Sequence, residues 1–322
     1  MGIYPLQFII NRIESSIMNT KKSNTSAYLA LIIVSFFWGT TYLASRIGVQ
    51  HMHGIMLAGL RQTAAGVILV GFFMLRGYKL PELPILSRLF VIGVLMLCGS
   101  NGLMTWAMQY IPSGMGAIIA ATVPIWITIF SYFLVQKTRI SVQLVLGMVI
   151  GMIGIGGIFY DHLKELMNPE YRLGVILIVV ACVFWALGSV LTAKWALGVN
   201  YLYGAGFQML FSGLVMLLIA IVTGQHLQSS SFTGELWGSL LYLIFIGSLL
   251  GYSAYVFALN NLPPSLVSIY AYVNPIVAVV LGWLILSEKL NWMIGASCLV
   301  TLFGVYLVNN AFNKNKSYER SK

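Results

Sequence analysis

Ten apolar runs, each about 20 residues long, divide this chain at nearly regular intervals. They cover about residues 27–46, 55–75, 88–109, 112–134, 141–160, 171–194, 203–223, 236–259, 263–286 and 291–310. An α-helix rises 1.5 Å per residue, so about 20 residues cross the roughly 30 Å of hydrocarbon in a bilayer. The runs are continuous rather than alternating, which selects helices over the strands of a membrane barrel. Composition agrees: of 322 residues, 59% are hydrophobic and only 8% charged, against about 45–50% and about 25% in soluble domains. The expected fold is an all-α integral membrane protein with ten transmembrane helices.

The charges orient these spans. The net charge is +10, but most Lys and Arg sit in short gaps between apolar runs, which points to membrane topology rather than nucleic acid. With the N-terminus inside, the inner segments hold Arg12, Lys21, Lys22, Arg76, Lys79, Arg88, Lys137, Arg139, Lys194, Lys314, Lys316, Arg320 and Lys322. The outer segments hold only Arg46, Lys164, Arg172 and Lys289, and Arg61 lies within span 2. The positive-inside rule therefore places both termini in the cytoplasm of a multi-pass cell-membrane protein. Residues 1–26 form a cytoplasmic segment that is either a short interfacial helix or, when translation starts at Met18, a short Lys21-Lys22 tail. Residues 311–322 form a basic cytoplasmic tail.

The chain also repeats itself. A shift of 147 residues places Phe37-Trp38 on Phe184-Trp185, Ala58-Gly59 on Ala205-Gly206, Gly66 on Gly213 and Gly77 on Gly224. A shift of 151 places Ala107 on Ala258, Pro112 on Pro263 and Pro124-Ile125 on Pro275-Ile276. A shift of 148 places Gly147 on Gly295 and Gly156 on Gly304. The units are residues 27–160 and 171–310, five spans each. Five is odd, so the second copy enters the membrane inverted, an arrangement suited to alternating access.

These residues carry a resemblance. Phe37-Trp38-Gly39 in span 1, Arg61 in span 2, Pro124 and Pro275 in spans 4 and 9, and Leu286-Ser287-Glu288 after span 9 stand in this order within ten spans. The chain resembles the EamA family of the drug/metabolite transporter superfamily. The resemblance implies transport of small metabolites, often export, without ATP hydrolysis. It departs from the family where Gln136-Lys137 replaces the frequent Glu after span 4.

Candidate cavity residues follow from helix chemistry. Pro124 and Pro275 each remove one helix hydrogen bond about twelve residues into a span, and interrupted helices at matching depths point to a central site. Asn101, Thr105 and Gln109 share a face of span 3, and Tyr270 and Asn274 share one of span 9, with Ser268 and Tyr272 nearby. Span 1 offers Trp38, Thr41, Tyr42 and Ser45, and span 6 offers Trp185, Ser189 and Thr192. Singly, each is as well explained by hydrogen bonding between helices. Arg61 is the most expensive residue to insert, at about 2.5–3.5 kcal/mol for a central Arg, and no Asp or Glu lies within the spans to pair with it. It either snorkels outward or faces a solute.

Glu288, with Lys289, is a possible gate at the outer mouth. His51, His53, His162 and His226 fall in outer loops. Cys98, Cys182 and Cys298 are far apart in apolar runs, and no metal or cofactor motif occurs. The expectation is a non-enzymatic carrier of small polar or amphipathic, amino-acid-like metabolites, an exporter or exchanger in contact with membrane lipid, and a monomer or homodimer. The alternative is a membrane-embedded sensor or assembly subunit without transport.

Overall fold

The computed structural model describes residues 6–111, 113–135, 140–158, 160, 168–225, 233–286 and 292–320. Among them the regular structure is helical. Seven stretches are long and apolar enough to cross a membrane: Thr25–Gly48, Gly54–Leu75, Leu83–Ala107, Pro169–Trp195, Tyr201–Val222, Gly234–Asn261 and Trp292–Ala311. In chain order we call the helices α1 (Leu6–Gly48), α2 (Gly54–Leu75), α3 (Leu83–Ala107), α4 (Ser113–Ala120), α5 (Val123–Leu134), α6 (Val142–Ile158), α7 (Arg172–Trp195), α8 (Tyr201–Val222), α9 (Gly234–Asn261), α10 (Pro264–Val267), α11 (Tyr270–Leu286) and α12 (Trp292–Arg320). The three remaining apolar runs coincide with shorter helices: the fourth with α4 and α5, the fifth with α6, the ninth with α10 and α11. α1 begins at Leu6 and α12 continues to Arg320, so the first and last spans extend into the segments expected as separate tails.

The ends of the helices follow local chemistry. The Asn200 side chain accepts from the backbone N–H groups of Leu202 and Tyr203 at the start of α8, and Thr233 accepts from Leu236 at the start of α9. α2 and α8 both end before a glycine in the left-handed region, Gly77 (φ +81°) and Gly224 (φ +74°). These two glycines are repeat partners in the sequence.

Two departures from regular α-helix lie at mid-bundle. α3 contains a π-helical segment, Val94–Gly102, and α9 contains another, Leu243–Tyr252. Such wide turns add residues per turn and rotate whatever follows. The interruptions attributed to proline are unequal. The fourth run breaks at Ala121–Thr122, so Pro124 lies in the first turn of α5, where a missing N–H is tolerated. The ninth run breaks earlier, at Ser268–Ile269, and Pro275 lies inside the continuous helix α11. In both places the proline has no N–H to offer the carbonyl four residues before it, at Ala120 and Ala271.

α2 packs along α8 and α6 along α12, the two most extensive pairings. Both pairs are antiparallel and built on glycine. A Cβ at Gly66 would lie 2.4 Å from the Leu210 nitrogen, and one at Gly213 would lie 2.4 Å from the Thr63 nitrogen. In the second pair, a Cβ at Gly154 would lie 2.6 Å from the Thr301 nitrogen, and one at Gly304 would lie 2.5 Å from the Gly151 nitrogen. Around these pairs, α3 and α5 pack on α7, while α1 packs on α9 and α11. Apolar side chains such as Leu75, Val142, Val222 and Trp292 point outward, as lipid requires.

These contacts predict a graded glycine series. Gly66→Leu or Gly154→Leu drives a side chain into backbone and destabilises the fold by about 1–3 kcal/mol or more. Gly71 and Gly156 face open space, so Gly71→Ala and Gly156→Ala leave stability unchanged or raise it slightly. Melting temperatures of the detergent-purified variants check the contrast.

Candidate functional site

Between the two halves lies a cavity with about 830 Å³ of space not filled by atoms, its open mouth included. Its walls come from the C-terminal part of α1, the N-terminal half of α2, the C-terminal half of α3, the middles of α7 and α9, and the first turns of α11. The Ala120 end of α4 and Val123 at the start of α5 complete it. The cavity therefore extends from mid-bundle toward the end that carries the α1–α2 loop.

α1 contributes Trp38, Thr41, Tyr42 and Ser45. Thr41 spends its hydroxyl proton on the Trp38 carbonyl at 2.8 Å, leaving its oxygen as an acceptor. Trp38 Nε1 donates to the Gly247 carbonyl at 3.0 Å, within the π segment of α9. Gly39, next to Trp38, lets α1 approach α11: a Cβ there would lie 2.8 Å from the Asn274 carbonyl oxygen. The Asn274 side-chain NH2 group donates to the Ser35 carbonyl at 2.7 Å and to the Tyr270 carbonyl at 3.1 Å. The Phe37-Trp38-Gly39 sequence thus has a physical reason, a backbone seam beside an anchored indole.

Trp38 and Trp185 meet edge to face, with ring centroids 5.3 Å apart. Tyr255 lies 5.1 Å from Trp38 and 5.0 Å from Trp185, and Tyr270 lies 5.1 Å from Trp38. Trp185 Nε1 donates to the Tyr255 hydroxyl at 3.1 Å, and that hydroxyl lies 2.8 Å from Ser189 Oγ. Ser189 Oγ in turn donates to the Trp185 carbonyl at 2.6 Å. This aromatic and hydroxyl knot is the cavity floor. Ser189, fully buried beneath it, does not line the cavity.

α2 contributes Arg61 and Gln62. Arg61 is 5% exposed, and its Nε donates to Ser248 Oγ at 3.3 Å. None of its other N–H groups has a protein partner among the described residues. It does not snorkel out: it lines the cavity. Gln62 donates to Asn101 Oδ1 at 3.5 Å, and Thr105 Oγ1 donates to the Asn101 carbonyl at 2.8 Å. Asn101 and Thr105 line the cavity, but Gln109 does not.

Pro124 and Pro275 are not lining residues either; their neighbours Val123 and Asn274 are, together with Ala120 and Ala271. Glu288 lies outside the described residues. Gln62, Ser100, Cys182, Tyr252 and the pair Met104 and Met108 also line the site. Gln62 and Ser100 carry a readable signal, as polar residues beside Arg61 and Asn101. Tyr252, Cys182 and the methionines carry none, because only packing decides which apolar residues face the gap.

At the α1–α2 end of the bundle, the loop before α2 contacts the start of α9. His51 Nε2 lies 3.1 Å from Glu235 Oε2. His53 Nδ1 accepts from the Ile55 N–H at 3.3 Å, capping α2. Partial burial pushes the His53 pKa below its ordinary value, which favours the neutral ring that can accept. Arg46 donates to the carbonyls of Met108 and Ile111 and so satisfies the end of α3. No group of three or more His, Cys, Asp or Glu side chains is placed to hold a metal among the described residues.

The model of the EamA-like transporter family matches residues 25–160 and again residues 172–310. The chain belongs to the EamA-like transporter family. It is 38% identical over 281 residues to the inner membrane transporter YedA of Escherichia coli strain K12, covering 87% of this chain and 89% of YedA. Protein PecM of Dickeya dadantii is 30% identical over 256 residues, covering 79% of this chain and 82% of PecM. The transporter YoaV of Bacillus subtilis is 25% identical over 291 residues, covering 89% of this chain and 98% of YoaV. A crystal structure aligns with a TM-score of 0.71 at 20% identity, over 89% of this chain and 97% of the other, and supports the fold. The protein is thus a multi-pass membrane transporter of EamA type.

The floor yields a prediction. Tyr255→Phe removes the acceptor of the Trp185 indole and one partner of Ser189. An unsatisfied buried donor costs about 1–3 kcal/mol, so the melting temperature in detergent falls. Tyr201→Phe, in a more exposed ring, leaves it near wild type.

Proposed function

We propose that the protein is a secondary transporter of small polar or amphipathic, amino-acid-like solutes. It exports or exchanges them across the cell membrane by alternating access. In this reading ten helices cross the bilayer as two inverted repeats of five, with both termini in the cytoplasm. The two separate family matches, the antiparallel α2–α8 and α6–α12 pairs and the paired π segments support the repeat. YedA, named as an inner membrane transporter, supports the location.

One observation carries the mechanism. Ser45, Arg61, Gln62, Thr105 and Met108 line the cavity, whereas their repeat partners Thr192, Gln208, Met209, Val256 and Leu259 do not, although both sets are largely shielded from solvent. This difference supports a reading in which one sequence pattern occurs in a cavity-lining and a cavity-free arrangement within one molecule. Exchange of these arrangements would close the α1–α2 end and open the opposite end. The solute would rest on the Trp38, Trp185 and Tyr270 wall. Its polar groups would meet Thr41, Tyr42, Arg61, Asn101, Thr105 and Asn274, and Pro124 and Pro275 would leave the Ala120 and Ala271 carbonyls available as acceptors.

Counterflow in proteoliposomes tests this. Vesicles preloaded with an unlabelled mixture of amino acids and small metabolites should take up at least one labelled component well above empty vesicles. Exchange of no component, with a second protein copurifying at fixed ratio, would instead support a sensor or assembly subunit.

A further inference from the structure

Arg61 and its repeat partner differ in charge. At the α1–α2 end stands a guanidinium that is 5% exposed but lines the cavity, with a neutral hydroxyl, Ser248, as its protein partner among the described residues. Glu82, Glu170 and Glu235 are exposed at the starts of helices and do not line the cavity. At the packed end stands Gln208, 2% exposed, whose Oε1 accepts a 2.6 Å hydrogen bond from the Tyr252 hydroxyl. A neutral amide with one good partner fits a packed wall. A cation does not, because packing removes the water that solvates it and supplies no opposite charge.

The following inference rests on the alternating-access reading above. If the halves exchange arrangements, Arg61 must enter the kind of packed wall that now holds Gln208. We propose that Arg61 makes closure of the α1–α2 end depend on an anionic solute. The empty carrier stays open at that end, because closing would remove the cavity space beside a guanidinium whose protein partner among the described residues is a neutral hydroxyl. A solute bearing a carboxylate or phosphate supplies the missing charge through paired hydrogen bonds to the free N–H groups, and the loaded carrier closes. Amines without an anionic group stack on the aromatic wall but do not release the latch. The empty carrier then returns slowly, so exchange outruns net flux.

A cysteine at Thr192 reports the opposite end, since Thr192 is 7% exposed there and is the repeat partner of Ser45. The Thr192→Cys reporter is made in full-length protein with Cys98→Ala and Cys298→Ala. Labelling by a membrane-impermeant maleimide is read from the face opposite the α1–α2 loop, against a parent that retains Cys182. Without solute, Arg61→Gln should raise the labelling rate by about tenfold or more, as a population shift of the empty carrier, while Arg61→Lys, which keeps the charge, should not. Arg61→Gln should also raise net efflux of a counterflow substrate relative to exchange. A merely structural guanidinium predicts that both substitutions change labelling alike, which would overturn the latch. Labelling that rises under exchange in the Arg61 protein but is unmoved by Arg61→Gln would also overturn it, while leaving alternating access intact. A reporter that stays unlabelled in every variant, even during exchange, would instead sink the alternating-access reading and the latch with it.

Discussion

Apolar side chains gain little by leaving lipid for a protein interior, so a helical bundle in a membrane depends on how closely its backbones can approach. Here that approach is set by glycine. The α2–α8 and α6–α12 pairs touch backbone to backbone at Gly66, Gly213, Gly154 and Gly304. Gly39 does the same for α1 against α11, and Gly251 makes room for the Trp38 indole. With these seams tight, the remaining helices cannot all close on one another, and the unfilled volume falls between the two halves. The cavity is thus a consequence of where small residues permit contact and where bulky aromatics prevent it.

Much of this was legible in the sequence, for a specific reason: crossing a bilayer imposes a length and a polarity that local composition records directly. The apolar runs mark the helices, and polar residues inside them are rare enough to notice. Trp38, Arg61, Asn101, Trp185 and Asn274 stand out on that ground, and all five face the cavity. What was not legible depends on rotation. A face drawn from regular spacing fails where the helix ends: α3 stops at Ala107, so Thr105 remains on the cavity side and Gln109, in the turn beyond, does not. Ser189 carries the same polarity as the lining residues but bonds beneath Trp185. Proline marks a lost hydrogen bond without saying whether the helix breaks, and Pro124 and Pro275 divide on this point.

The polar groups of the site are mostly committed before any solute arrives. Thr41, Thr105 and Asn274 use their donors on backbone carbonyls, and Gln62 uses its own on Asn101. Committed donors hold their side chains in one geometry and leave the oxygens of Thr41, Thr105 and Asn274 as acceptors beside the gap, which would suit a solute rich in N–H donors. Arg61 supplies the contrasting character, a fixed charge and several donors with no protein partner among the described residues. The aromatic wall between them offers area to an apolar or cationic portion. Under the proposed transport, the arrangement would discriminate by the spacing of donor and acceptor groups along a solute, with size set by the wall.

An inverted repeat would by itself give two equivalent ends. Divergence at paired positions breaks that equivalence. Arg61 is matched by Gln208, Gln62 by Met209 and Thr105 by Val256, so in each pair the first-half residue is the more polar. Under the proposed exchange of arrangements, a solute at the α1–α2 end meets a charged, hydrogen-bonding vestibule, and a solute at the other end meets a more apolar one. Polar contacts formed at one end and absent at the other make the two half-saturation concentrations unequal, although they cannot change the overall equilibrium across the membrane. In that reading, sidedness would come from a few substitutions at paired positions of the proposed repeat.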